Sequence, residues 1–241
     1  MEKKIGIIGA MSVEVESLIA CLKPLEGEKE VRKVERAFLT FTEGLLDGVH
    51  VVIVRSGVGK VNAALCAQRL CIDFGVTNVI NTGIAGAMAS GLGVLDFVCS
   101  TDALYHDMDA TGFGYKVTEI PQMPESDFKA DSKMLDVATM VFAEMEEARG
   151  HQMVCGRIAS GDQFISDKDV KAVIKKNCSP ACVEMEGAAI AHACYLNDVP
   201  FLIIRCMSDM ADDSGENTYN FNEEVAAKMS ASFVRKIVVR L

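Results

Sequence analysis

The chain has 241 residues, half of them hydrophobic, and a formal net charge of -10. No low-complexity or Pro/Ser-rich segment divides it, so we predict a single domain with a substantial core over residues 1–241. The acidic balance disfavours nucleic acid and anionic membranes as partners, because both carry negative charge. Small-molecule partners are therefore favoured.

The location of the protein is indicated by what the sequence lacks. No apolar run approaches the length needed to cross a bilayer, and MEKKIGIIGA at the N-terminus lacks the long apolar core and the cleavage site of a signal peptide. The nine cysteines are an odd number, include no C-x-x-C pair and lie mostly among apolar residues. Because this pattern is typical of reduced core thiols, we expect a cytoplasmic protein without a zinc site.

Apolar runs typical of strands alternate along the chain with helical patterns. The predicted strands are IGIIGA at 5–10, AFLTFTEG at 37–44, VHVVIVRSG at 49–57, NVINTG at 78–83, DFVCSTDAL at 96–104, MVCGRIASG at 153–161 and PFLIIRCMSD at 200–209. The predicted helices cover 14–22, 60–74, 131–149, 167–176, 187–197 and 221–239. This alternation predicts an α/β three-layer sandwich, with a mixed, mostly parallel central sheet flanked by helices. The sheet is mixed because 37–44 and 49–57 form a hairpin.

Most of these strands end in small or polar residues. The tips are Gly9-Ala10-Met11, Ser56-Gly57, Thr82-Gly83, Ser160-Gly161-Asp162 and Ser208-Asp209. Ligands of α/β sheets collect at the carboxyl ends of strands. We therefore expect the tips to converge on one pocket.

Two glycine motifs do not support a nucleotide site of a familiar kind. GIIGA at 6–10 lacks the full G-x-G-x-x-G and a matching acidic residue, and in SGVGKVNAA at 56–64 Val61 replaces the hydroxyl that would hold magnesium. His192 lies in a helical run and is better explained as a core or interface histidine. His106 has Asp107 and Asp109 nearby, for which turn formation is at least as good an explanation as metal binding.

Acidic residues occur near several predicted strand tips, at Glu14, Glu184, Glu186 and Asp209. Each has a structural explanation, as a first-turn carboxylate, a buried partner of a base or a helix N-cap. Such caps need not all fall at the ligand-binding edge of one sheet. Their joint position therefore favours a functional site.

Seven motifs occur in the order and with the spacing of a known family. They are GIIGAMSVEVE, SGVGKVNAA, NTGIAGA, YHDMDATGFGY, SGDQFI, VEMEGAAIAH and RCMSDMAD. Together they resemble the 5'-methylthioadenosine/S-adenosylhomocysteine nucleosidase branch of the purine nucleoside phosphorylase superfamily, from Lys4 nearly to the C-terminus. The resemblance implies a nucleoside phosphorylase-like fold and hydrolysis of the N-glycosidic bond, which yields adenine and the 5-thioribose product.

The same resemblance implies roles for three acids. Glu14 matches the general base for the attacking water, Glu186 the ligand of the ribose hydroxyls, and Asp209 the acid that hydrogen-bonds the purine at N7 and its exocyclic amine. Breaking this bond builds positive charge on the ribose and negative charge on the leaving base. A carboxylate beside the sugar and an acid beside the base meet both needs.

Other positions match the substrate contacts of the family. Met185 packs below the sugar, Phe164 stacks on the base and Ile165 reads the base through its backbone. The remaining matched positions are Val58, Ala85, Gly86, Arg205, Ser208 and Tyr219, with Phe221 as the alternative to Tyr219. Arg205 is expected to orient the water, to pair with Glu14 or to form a buried salt bridge. Ile84 departs from the family, in which a serine is common at this position.

The family also completes its 5' pocket with a loop from a partner chain. The matching loop follows YHD and offers Phe113, Tyr115 and Pro121. The resemblance thus implies a homodimer without a metal or organic cofactor. A nucleoside phosphorylase and a catalytically silent nucleoside-binding protein are the alternatives, of which the first is disfavoured because Glu14 puts negative charge where phosphate would arrive.

The segment VEMEG carries a prediction about backbone shape. Alternate residues of a regular strand share a face, so Glu184 and Glu186 would point one way and Met185 the other. The resemblance places both Met185 and Glu186 in the pocket. The segment should therefore bend into its helix there, with Glu184 in a structural role.

Overall fold

The computed structural model describes residues 3–211 and 216–241, and the side chains of residues 216–221 are outside this description. In the described part the strands are β1 (Ile5–Gly9), β2 (Arg32–Arg36), β3 (Leu39–Leu46), β4 (Val49–Arg55), β5 (Asn78–Ala87), β6 (Phe97–Tyr105), β7 (Phe128–Lys129), β8 (Met153–Ser160), β9 (Cys182–Glu184) and β10 (Phe201–Asp209). The α-helices are α1 (Ser12–Ala20), α2 (Lys60–Asp73), α3 (Ser132–Glu144), α4 (Lys168–Cys178), α5 (Gly187–Leu196) and α6 (Glu216–Arg240). Among these helices none is both long and apolar enough to span a membrane.

All of the described strands belong to one mixed sheet. Its order is β10-β6-β8-β9-β5-β1-β4-β3-β2, and β7 pairs with β6. The predicted mixture of parallel and antiparallel strands is confirmed, and the parallel pairings join more residues than the antiparallel ones. Half of the pairings between described strands are antiparallel. Strands β2, β3 and β4 form a meander, β6 runs against β10 and β7, and β9 runs against β5.

The sheet closes on itself at one end. Strand β10 pairs with β6 and also with β5, so β5, β10, β6, β8 and β9 form a closed ring. Register irregularities at Met207/Asp209 in β10 and at Ser100/Asp102 in β6 accompany this curvature, as expected for bulged strands. The predicted three-layer sandwich did not include this closure.

Helices cover both faces of the sheet. In β4, Val52 and Val54 belong to one apolar cluster and Val51 and Ile53 to another, because successive side chains of a strand point to opposite faces. Helices α2 and α5 pack in the first cluster, and α1, α3 and α6 pack in the second.

The pairing register brings several strand ends together. Asp209 of β10 lies beside Gly86 of β5, Gly86 pairs with Val183 of β9, and Ser160 of β8 pairs with Glu184. The expected convergence of strand tips is therefore present for these strands, and a cleft opens at this point.

Candidate active site

The cleft is lined by most of the residues that the sequence predicted. The described residues that line it are Ala10, Met11, Glu14, Val58, Ile84, Ala85, Gly86, Phe164, Val183, Glu184, Met185, Glu186, Ser208 and Asp209. Ile165 lines a small adjoining cavity together with Phe164 and Asp209. The side chains of Tyr219 and Phe221 lie outside the described residues, so the choice between them stays open.

Glu14 is held in the first turn of α1 by backbone donors. Its Oε2 accepts hydrogen bonds from the N–H groups of Ala10 (2.7 Å) and Met11 (2.9 Å), and its Oε1 accepts one from Ile84 (3.2 Å). Burial raises the pKa of Glu14, while the charge of Arg205 and these N–H groups act in the opposite direction. A fixed carboxylate with a raised pKa is suited to accept a proton from water.

Arg205 pairs with Glu184 and not with Glu14. Its guanidinium is 2% exposed, donates to Glu184 Oε2 and to Asn81 Oδ1 (2.6 Å), and lies behind the wall of the cleft. Glu184 also accepts the N–H groups of Glu186 (3.1 Å) and Gly187 (2.7 Å) through Oε2. The buried salt bridge, one of the three expectations for Arg205, is the arrangement observed.

Glu186 occupies the bend between β9 and α5. Strand β9 ends at Glu184 and α5 begins at Gly187, so the predicted change of backbone shape is confirmed. Glu186 Oε1 accepts the N–H of Gly59 at 2.8 Å. Burial and the neighbouring Glu184 carboxylate raise the pKa of Glu186 to about 8. The carboxyl of Glu186 is therefore a weaker acid than that of an exposed glutamate.

Asp209 stands at the end of β10, beyond the bulge. Its Oδ2 accepts the hydroxyl of Ser208 (2.8 Å) and its Oδ1 accepts the N–H of Ala211 (2.7 Å). Asp209 and Ala211 lie close to the backbone of β5 because residue 86 is glycine. A Cβ at that position would lie 2.9 Å from Asp209 Oδ1 and 2.8 Å from the Cβ of Ala211.

Three supporting residues were given no individual role by the sequence analysis, although it placed Gly83 and Ser160 at strand tips. Asn81 donates to the carbonyl of Ile8 (3.0 Å) and accepts from Arg205, and the Ser160 hydroxyl donates to Glu184 while accepting the N–H of Ala188 (2.7 Å). Gly83 leaves the space that the Glu14 carboxylate occupies. The sequence feature that could have identified these residues is a polar residue or a glycine inside an otherwise apolar strand.

The residues assigned to a partner's pocket do not line the cleft of their own chain. Phe113 lies on a 3₁₀ turn at Thr111–Phe113 and is 87% exposed, and Tyr115 and Pro121 are half-buried further along the same loop. Phe164 (60% exposed) and Val58 (47% exposed) lie at the rim of the cleft.

The fold and the site together define an α/β protein of the nucleoside phosphorylase class, and residues 4–239 match the family model described as the phosphorylase superfamily. The chain is 40% identical over 239 residues to the 5'-methylthioadenosine/S-adenosylhomocysteine nucleosidase of Halalkalibacterium halodurans, with 99% of each chain covered. The chain belongs to this nucleosidase family within the phosphorylase superfamily.

Solved structures agree with this assignment. The nucleosidase of Colwellia psychrerythraea 34H in complex with adenine superposes with a TM-score of 0.92 at 38% identity, covering 100% of this chain and 96% of that one. The nucleosidase of Neisseria meningitidis in complex with methylthio-immucillin-A gives 0.91 at 36% identity, covering 99% and 100%.

Proposed function

We propose that this protein hydrolyses the N-glycosidic bond of 5'-methylthioadenosine and S-adenosylhomocysteine, releasing adenine and the 5-thioribose product. The observation that carries the proposal is that Glu14, Glu186 and Asp209 all line one cleft. The names of the relatives and the adenine in the Colwellia complex support it.

The chemistry follows from these three acids. Glu14 takes a proton from the attacking water, and Glu186 holds the ribose hydroxyls and faces the developing oxocarbenium charge. Asp209, in its protonated form, donates its proton to N7 of the departing purine, so that adenine leaves as a neutral base. Both proton transfers use side chains of this chain, so the mechanism needs no cofactor. Phe164 at the rim and Ile165 below it are the proposed contacts of the base.

Water is favoured over phosphate as the nucleophile. Among the described residues that line the cleft there is no lysine, arginine or histidine, and Arg205 is engaged with Glu184 behind the wall. A phosphate dianion beside Glu14 would meet like charge without a cationic partner. Hydrolysis introduces no such charge.

An assay of adenine release tests the proposal directly. The substrates are methylthioadenosine, adenosylhomocysteine, 5'-deoxyadenosine and aminofutalosine, each with and without inorganic phosphate. We expect release without phosphate, at a rate that phosphate does not increase. A strict requirement for phosphate, with ribose 1-phosphate product, would instead identify a phosphorylase, and adenine binding without turnover would identify a silent binding protein.

We further propose a homodimer in which the loop carrying Phe113, Tyr115 and Pro121 completes the partner's 5' pocket. Helix α2 supports this proposal with an exposed apolar face at Val61, Leu65 and Ile72, whose spacing places them on one side of the helix. The face continues from Val58, which lines the cleft, so a second copy seated on α2 would adjoin the site.

A cytoplasmic location fits the nine free thiols.

A further inference from the structure

An ion cluster that the proposed reaction does not use lies beside the cleft. The Lys60 cluster consists of Lys60, Asp107 and Asp162. Lys60 Nζ lies 2.7 Å from Asp107 Oδ2 and 3.7 Å from Asp162 Oδ2. Asp107 Oδ2 also accepts the N–H of Asp162 at 3.0 Å, and the Lys60 ammonium lies 5.4 Å from the centre of the Tyr105 ring.

The Lys60 cluster joins three segments that are far apart in sequence. Lys60 is the first residue of α2 and follows Gly59, whose N–H holds Glu186. Asp162 is two residues before Phe164 at the rim of the cleft. Asp107 is the second residue of the loop that leads from β6 to Phe113. The cluster therefore connects the start of α2 to the segment that carries Phe164, the proposed contact of the base.

Asp162 also supplies the cap that α2 lacks. The N-cap residue Gly59 has no side chain, and Asp162 Oδ1 instead accepts the N–H of Lys60 at 2.9 Å. A carboxylate is favoured at a helix N-terminus, where N–H groups have no partner within the helix. Gly59 is needed for this approach, because its φ is +97° and a Cβ there would lie 3.2 Å from Asp162 Oδ1.

The contribution of the cluster to global stability is expected to be small. The side chains of Lys60, Asp107 and Asp162 are 26%, 17% and 52% exposed. Ion pairs that water reaches contribute little to folding, because solvent screens them and ordering the side chains costs entropy. The geometry therefore suits local ordering of a loop better than it suits stabilisation of the fold.

We propose that Lys60 is a positioning residue for the purine, which it serves by fixing the loop at 161–165, through Asp107 and Asp162, so that Phe164 stays over the base. The proposal rests on the proposed function and extends it to residues outside the cleft. Without the ammonium, the carboxylates of Asp107 and Asp162 lie close together with no neutralising charge, and their repulsion displaces the loop at 161–165.

Kinetics separate positioning from a structural or chemical role. The contact of Phe164 with the base exists in both the ground state and the transition state, so its loss raises KM and leaves kcat nearly unchanged. For Lys60→Met we expect KM for methylthioadenosine to rise by about tenfold, with kcat within about twofold of wild type. Lys60→Arg should restore most of the affinity, because it keeps the charge.

The test is a double-mutant cycle of Lys60→Met and Asp107→Asn. KM, kcat, the dissociation constant of adenine and the urea midpoint are measured for each protein at low and at high salt. If the two residues act as a unit, the double variant binds no more weakly than either single variant. Salt should raise KM of the wild type and have much less effect on that of Lys60→Met, because only the wild type has the pair to screen.

A matched control comes from a second lysine. Lys129 bridges Asp127 (2.8 Å) and Asp102 (3.1 Å) away from the cleft, and Lys129→Met should leave KM and the affinity for adenine unchanged. Wild-type KM and wild-type adenine affinity in Lys60→Met would overturn the proposal, as would independent effects of Lys60→Met and Asp107→Asn. A protein that neither turns over nucleosides nor binds adenine, in wild-type form, would refute the proposed function instead.

Discussion

At the scale of single residues, the proposed role of Glu14 as the general base makes activity depend on its protonation. Because burial raises its pKa above the ordinary value of 4.5, Glu14 loses its role as a base when the pH falls through that raised value. We expect kcat/KM to fall on the acid side of the pH profile and to be nearly constant above it, as far as this group is concerned. The profile is measured with methylthioadenosine at substrate concentrations well below KM.

A matched pair of variants on α1 isolates this carboxylate. Glu14→Gln should lower kcat by about 100-fold to 10,000-fold, because an amide cannot accept the proton of water. Glu16→Gln, at an exposed position on the same helix, should behave as wild type. An active Glu14→Gln protein would remove Glu14 from the mechanism.

The raised pKa of Glu186 makes the stability of the folded protein depend on pH. The pKa of its carboxyl is 4.5 in the unfolded chain and about 8 in the folded protein, so the folded state binds more protons between these values. The stability connected with Glu186 is thus fully present below pH 4.5 and is lost as the pH rises through about 8. An amide at this position does not titrate.

We therefore expect Glu186→Gln to have opposite effects on activity and on stability. Loss of the carboxylate beside the ribose should lower kcat/KM by at least about 100-fold. The melting temperature of the variant relative to wild type should increase from pH 5 to pH 9, as measured by scanning calorimetry. A constant difference across this range would contradict the raised pKa of Glu186.

At the scale of elements, the buried salt bridge between Arg205 and Glu184 joins β10 to the end of β9. Breaking a buried ion pair leaves an uncompensated charge in the interior. We expect Arg205→Met to lower the free energy of unfolding by about 3–5 kcal/mol, measured with urea. The surface variant Lys129→Met should change it by less than about 1 kcal/mol.

The double variant Arg205→Met, Glu184→Gln tests the reason for that loss. If the cost lies in the unpaired carboxylate, neutralising Glu184 should return part of the stability. A further loss of the same size would show that the two side chains act independently, against the observed geometry.

The strands and helices themselves were mostly predictable. Long apolar runs such as those of β4 and β10 were found, because burial on both faces leaves a local pattern. The predicted strands did not include β2, β7 and β9. Strand β2 reads RKVER and is mostly exposed, while β7 and β9 have two and three residues, so only their pairing with distant strands makes them strands.

At the scale of the whole molecule, the exposed face of α2 predicts association. Leu65→Glu should convert a dimer to a monomer in sedimentation experiments, because a charge would be buried against an apolar surface. KM for methylthioadenosine should rise in the same variant, since the partner's loop is lost. Phe38, which is 75% exposed in the hairpin between β2 and β3, offers a control in Phe38→Glu.

A variant of Phe113 distinguishes the partner's contribution to the 5' pocket from its contribution to dimer formation. Phe113→Ala should keep the dimer and raise KM for substrates with a 5' alkylthio group more than KM for 5'-deoxyadenosine. A monomeric wild-type protein with full activity would contradict the proposed arrangement.

The sequence by itself determined the alternation of strands and helices, the types of acid in the site and the family, because periodicity and motifs are written in neighbouring residues. Tertiary structure alone decided which groups meet. Glu186 accepts a hydrogen bond from Gly59, which lies 127 residues away in sequence, and Asp162 accepts one from Lys60, 102 residues away. Arg205 forms its salt bridge with Glu184 and not with Glu14. These partners depend on strand register and on closure of the ring through β5 and β10, which no local pattern specifies.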